Sequence, residues 1–124
     1  MSEHYNILLT GAAGGIGSTI ARHFSADGHH LLLTDINSEP LEKLATQLRS
    51  DQSAKVQTIA ADLTNGESRT RLASEARGFN VDVVINAAGY NRFGLLENIS
   101  DTDIERIFSI NIISPILLCK ALLP

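Results

Sequence analysis

The feature that most constrains this chain is an alternation of two periodicities. Short runs that are apolar on both faces are separated by longer segments that are apolar every third or fourth residue. Tyr5-Asn-Ile-Leu-Leu-Thr10, His30-Leu-Leu-Leu-Thr-Asp35, Val56 to Ala61 and Val81-Asp-Val-Val-Ile-Asn86 read as strands. Gly15 to Gly28 reads as a helix with Ile16, Ile20 and Phe24 on one face and Gly28 where a left-handed residue closes a helix. A second helix opens at Asn37-Ser38-Glu39-Pro40, where a first-turn proline forfeits no hydrogen bond, and carries Leu41, Leu44, Ala45 and Leu48 on one face. Glu67 to Arg77 makes a third, weakly amphipathic helix.

Strands without a polar face tolerate water on neither side. The order β-α-β-α-β-α-β therefore predicts a parallel sheet with helices on both faces. Right-handed crossovers make it a doubly wound, Rossmann-like α/β unit with strand order 3-2-1-4, and 124 residues hold one such domain, spanning 1–124. A long last helix is expected from Ser100 to Leu123, opening on Ser100-Asp-Thr-Asp103, a serine cap with an acid three residues on. Beyond Arg106 it is apolar nearly all round, which predicts burial on more than one side. Pro115 has no N–H for the carbonyl of Asn111, so a kink and a free carbonyl are expected there.

Composition removes whole classes of function. Ten Lys and Arg against fourteen Asp and Glu give a net charge of −4 without a basic cluster, which argues against nucleic acid as a partner. The longest uncharged apolar run, Ile107 to Cys119, has 13 residues against the roughly 20 that cross a bilayer, so no membrane span is expected. Cys119 is the single cysteine, and the opening MSEHYN has no basic segment followed by an apolar run. Both point to a reducing, cytoplasmic setting. His4, His23, His29 and His30 lack metal-ligand spacing and read as surface residues, and Cys119 reads as a small core residue.

The chemistry lies at the strand ends. Thr10-Gly11-Ala12-Ala13-Gly14-Gly15-Ile16-Gly17 joins a buried strand to a helix. Glycines there permit a tight turn and a close approach to a helix N-terminus, which attracts a diphosphate. No Gly-Lys-Ser/Thr follows, so this is not a Walker loop. Asp35 ends the second strand eighteen residues after Gly17, where a dinucleotide fold places the acid that binds an adenosine ribose. A carboxylate there repels a 2′-phosphate, and Ala12, Ala13, Gly14 and Ile36 offer no cation to neutralise one, so NAD is favoured over NADP.

The pattern Thr-Gly-x-x-x-Gly-x-Gly on Gly11, Gly15 and Gly17, with Ala61-Asp62-Leu63 and Asn86-Ala87-Ala88-Gly89, resembles the short-chain dehydrogenase/reductase family from Tyr5 to Pro124. The resemblance implies Gly11, Gly15, Ile16 and Gly17 at the diphosphate, Asp35 and Ile36 at the ribose, and Asp62 and Leu63 at the adenine. It implies Asn86, Ala87, Ala88 and Gly89 along the coenzyme wall, and Asn111 as the residue whose main-chain carbonyl holds a water of a proton relay. It also implies hydride transfer between NAD(H) and a small-molecule alcohol or carbonyl substrate, and homo-oligomers paired through the long helix.

The family's catalytic serine and Tyr-x-x-x-Lys pair have no counterpart here. Four residues after Tyr5 stands Leu9, and four after Tyr90 stands Gly94. The expectation is an N-terminal coenzyme-binding portion that does not turn over by itself. Tyr90, Asn91, Arg92 and Phe93 read as a substrate-side loop. Two alternatives stay open: a non-catalytic nucleotide-binding or interaction module, and an epimerase-like relative, since Gly11, Gly14 and Gly17 also fit Thr-Gly-x-x-Gly-x-x-Gly.

Overall fold

Successive residues of the two central strands point to opposite faces of the sheet, and each face has its own helices. The computed structural model describes residues 3–51 and 55–124. Strands β1 (Asn6–Thr10), β2 (His30–Asp35), β3 (Val56–Ala60) and β4 (Val83–Asn86) form a parallel sheet in the order β3-β2-β1-β4. Helices α1 (Gly15–Ala26), α2 (Ser38–Asp51) and α3 (Gly66–Gly78) follow the first three strands. After β4 come a 3-10 turn (Leu96–Asn98), α4 (Asp101–Phe108), a π turn (Ser109–Ile113) and α5 (Ser114–Leu122).

Ile7, Leu9, Leu31 and Leu33 form one core with Ala21 of α1 and Leu41, Leu44, Ala45 and Leu48 of α2. Leu8 and Leu32 form the other with Leu72 and Ala76 of α3, Phe79, and Leu118 of α5. Each large aliphatic side chain buried this way contributes about 1.5–3 kcal/mol. The register pairs Leu8 with Leu32 and with Val84, keeping each face continuous from strand to strand. Gly28 takes φ +85°, closing α1 as expected.

Several expectations are corrected. Ile16 is 75% exposed rather than on the buried face of α1, which packs through Gly17, Ala21 and Ser25. The reason is Gly17: a Cβ there would stand 2.0 Å from the Gly11 carbonyl oxygen, so the contact between helix and turn sets the rotation of α1. Strand β4 starts at Val83 rather than Val81, whose N–H is spent on the carbonyl of Ala76. The long helix expected from Ser100 to Leu123, with its kink at Pro115, widens before that residue into the π turn. The Ser114 N–H bonds the Ser109 carbonyl five residues back, and Pro115 sits in the first turn of α5, where its missing N–H is tolerated.

Ser100 caps α4 through Oγ, accepting from the Asp103 N–H at 3.1 Å, but the Asp103 carboxylate turns away to other partners. Helix α5 buries only Ser114 and Leu118, and Phe108, Ile112, Ile113 and Ile116 remain exposed. His29 and His30 are half-buried acceptors rather than free surface residues: Nδ1 of each takes a backbone N–H, from Tyr5 at 3.0 Å and Lys55 at 2.7 Å. Cys119 is half-buried, with the Asn86 amide nitrogen 3.7 Å from its Sγ.

Candidate functional site

In an open parallel sheet the crevice opens at the carboxyl ends of the strands, where successive connections leave in opposite directions. Here that point lies between β1, whose chain goes on to β2, and β4, which is reached by the crossover from β3. A cleft of about 330 Å³ occupies it, lined from β1 by Gly11 and Gly14, from β2 by Thr34, Asp35 and Ile36, and from β3 by Ala61, Asp62 and Leu63. The last wall is Ala87 to Tyr90 with Arg106 and Ile110. The volume lies at the lower end of the range of small-molecule sites.

The glycine turn is held by its neighbours. Gly11 takes φ +64°, and a Cβ on it would lie 2.6 Å from the Ala88 backbone, so the loops after β1 and β4 touch only because this residue is glycine. The contact is fixed further by the Ala88 N–H donating to Oγ1 of buried Thr10 at 3.2 Å and the Ala12 N–H donating to the Thr34 carbonyl at 3.1 Å. Gly14 precedes α1 with no side-chain cap, so the first N–H groups of the helix point outward without a protein side chain to receive them. Gly15 meets nothing within 4 Å of where a Cβ would be, so packing gives no reason for a glycine there.

Asp35 accepts the Ala13 N–H on Oδ2 at 2.9 Å and the Ile36 N–H on Oδ1 at 2.7 Å. These two bonds orient the carboxylate toward the cleft and leave each oxygen a second acceptor position. Asp62 Oδ1 accepts from both the hydroxyl and the N–H of Thr64, at 2.6 and 3.0 Å. The Thr64 hydroxyl bond, then the Thr64 N–H, holds its carboxyl below the usual carboxylate range. The segment is pinned from behind by Ser68 Oγ, which accepts the Asp62 N–H, and by Arg69 and Ser114, whose side chains reach the Leu63 carbonyl at 2.7 Å each.

Other expected site residues lie beside the cleft rather than on it. Gly15, Ile16 and Gly17 form the start of α1. The Asn86 side chain turns to Cys119, so the wall is made by Ala87, Ala88 and Gly89. Asn111 sits in the π turn and grips the loop after β4 at one residue. Its Oδ1 accepts the Tyr90 N–H at 2.9 Å and its Nδ2 donates to the Tyr90 carbonyl at 2.7 Å. Among the described residues no group of three or more His, Cys, Asp or Glu is placed to hold a metal.

Four contributors escaped sequence reasoning: Thr34, Arg106, Ile110 and Asp103. The Tyr90 hydroxyl donates to Asp103 at 2.7 Å, which holds the Asp103 carboxyl down and the Tyr90 hydroxyl up, and Arg92 pairs with the same carboxylate at 3.4 Å. The spacing of Arg106 and Ile110 on one helix face was a usable signal. Which wall that face meets was not, because fourteen residues of loop and turn, Ala87 to Ser100, separate α4 from β4.

A family model described as short chain dehydrogenase matches residues 5–124. The chain belongs to the short-chain dehydrogenase family. It is 32% identical over 105 residues to 2,3-dihydro-2,3-dihydroxybenzoate dehydrogenase of Bacillus subtilis, covering 83% of this chain and 40% of that protein. Among solved structures it is similar to a short-chain dehydrogenase from Sphingobium yanoikuyae in complex with NADPH, with TM-score 0.89 and 30% identity over 95% of this chain and 47% of that one. It is also similar to NAD+-bound xylitol dehydrogenase, with TM-score 0.85 and 29% identity, covering 95% and 46%. The chain thus spans less than half the length of these short-chain dehydrogenases. The parallel order 3-2-1-4 read from the sequence agrees with this membership.

Proposed function

We propose that this short-chain dehydrogenase chain is the coenzyme-binding part of an oxidoreductase, one domain over residues 1–124, and that it holds the adenosine and diphosphate half of NAD. The observation that carries the proposal is Asp35: its carboxylate lines the cleft, held by the N–H groups of Ala13 in the glycine turn and of Ile36, and shares that cleft with Gly11, Gly14 and Asp62. In this reading Gly11, Gly15, Ile16 and Gly17 bring the helix N-terminus to the diphosphate, Asp35 and Ile36 hold the ribose, and Asp62 and Leu63 meet the adenine. Ala87 to Gly89 form the wall, with Asn86 behind it. Asn111 keeps the Tyr90 loop in place and offers the relay position.

The bound coenzyme supplies or takes the hydride, with a small-molecule alcohol or carbonyl compound as its counterpart in the whole protein. Neither tyrosine of residues 1–124 stands four before a lysine, so this polypeptide binds coenzyme without turnover. The exposed apolar residues Phe108, Ile112, Ile113 and Ile116 support self-association. No helix of the described residues is long and apolar enough to cross a membrane, and a cytoplasmic setting belongs to the same proposal.

The test is a fluorescence titration with NADH and NADPH. The wild-type chain is expected to prefer NADH. Asp35→Ala is expected to lose about ten-fold or more of that affinity, as removal of charge-assisted hydrogen bonds does. An Asp35→Ala chain that binds NADH like the wild type overturns the reading.

A further inference from the structure

Arg106 lines the cleft, and among the described residues it has no hydrogen-bond or ion-pair partner. On an isolated helix its natural mate is Asp103, one turn earlier. Here the Asp103 carboxylate is taken by the Tyr90 hydroxyl at 2.7 Å and by Arg92 at 3.4 Å. Among the described residues no carboxylate forms an ion pair with Arg106 and no acceptor takes its N–H groups. The guanidinium instead lies over the ring of Tyr90, 4.9 Å from its centroid. Of the described residues that line the cleft it is the only cation, and its charge reaches both Asp62 and Asp103. Ile110, one turn on, lines the same wall.

We propose that Arg106 is a coenzyme-positioning residue that contacts the adenine base at the outer end of the cleft. The inference rests on the dinucleotide reading above and assigns a contact that reading leaves open. A guanidinium is planar, weakly hydrated and suited to stacking on aromatic faces. With Tyr90 on one side of it, the free side and the unspent donors meet an electron-rich ring lying between Asp62 and Ile110. The Tyr90–Asp103–Arg92 cluster sets this up by taking the Asp103 carboxylate's direct contacts, so that Arg106 feels its charge without pairing with it. A phosphate is the weaker candidate, because Asp35 and Asp62 share the cleft and oppose an anion there.

The test uses the full 124-residue chain, titrated with NADH, NADPH and ADP-ribose, in wild-type, Arg106→Gln and Arg106→Lys forms. Arg106→Gln is expected to weaken NADH and ADP-ribose alike, by about two- to five-fold, the range of an exposed cation stacked on a ring. Arg106→Lys keeps the charge but not the plane, and is expected to recover only part of that loss. Unchanged NADH affinity in Arg106→Gln overturns the inference. So does full recovery in Arg106→Lys, a loss seen with NADH but not ADP-ribose, or a loss confined to NADPH, which would assign Arg106 to a phosphate. Circular dichroism of each variant confirms that the exposed substitution leaves the fold intact. A wild-type chain that binds none of the three ligands overturns the dinucleotide reading itself, which keeps the two failures apart.

Discussion

Gly15→Ala and Gly17→Ala alter positions two residues apart and are expected to act in opposite directions. A methyl on Gly15 meets nothing within 4 Å and falls on the first residue of α1. Replacing a helical glycine by alanine restricts the unfolded chain and raises stability by about 0.4–1 kcal/mol. In a domain of this size that is a rise in Tm of roughly 1–6 °C. The same methyl occupies the space where a diphosphate would approach the helix N–H groups. Displacing it forfeits charge-assisted bonds of about 1.5–3 kcal/mol each, or ten-fold or more in NADH affinity. At Gly17 the added Cβ stands 2.0 Å from the Gly11 carbonyl oxygen and 2.8 Å from its carbon, both backbone atoms that no side-chain rotation can clear. Helix and turn must separate, at about 1–3 kcal/mol or more. Thermal unfolding followed by circular dichroism, with an NADH titration on each variant, checks both. A Gly15→Ala chain with wild-type NADH affinity refutes the placement of the diphosphate. A Gly17→Ala chain as stable as the wild type refutes the packing argument.

Acid is expected to weaken the fold at His30, whose Nδ1 must stay unprotonated to accept the Lys55 N–H. Burial first, then the charges of His4, Lys55 and His29, lowers its pKa below the ordinary histidine value, so the folded chain binds fewer protons than the unfolded one. That contribution to stability is present above about pH 6.5 and is lost as the pH falls through the window beneath it. Urea midpoints between pH 7.5 and 5 are expected to fall less in His30→Asn, which keeps an acceptor that does not titrate, and identical pH profiles would refute this. Asn65→Ala is expected to cost about 1 kcal/mol, because its side chain caps α3 by accepting the Ser68 N–H at 2.8 Å. Ser68 in turn accepts the Asp62 N–H, so NADH affinity should drop with stability, and a urea midpoint equal to the wild type's counts against the cap.

Much of this protein was legible in the order of its residues, because local patterns report what is local. Runs such as Ile7 to Leu9 and Leu31 to Leu33 are apolar on both faces, so a two-sided sheet was required before any contact was known. Gly28, Ser100 and the turn at Gly11 announced themselves through backbone demands that only those residue types meet cheaply. Asp35 and Asp62 were visible because strand ends converge in this topology.

What the tertiary structure alone decided is which of several locally equivalent options was taken. Ile16 and Gly17 both begin an amphipathic helix, and the buried one was chosen by a carbonyl from the preceding turn. Asp103 could have served the cap or paired with Arg106, and a tyrosine from the loop after β4 took it instead. Asn111 was read for its carbonyl, while the widened turn presents its amide to the backbone of Tyr90. These choices depend on atoms far apart in the chain meeting at distances of an ångström's tolerance. Sequence periodicity carries the direction of a side chain along its own element, but not the identity of what waits on the other side.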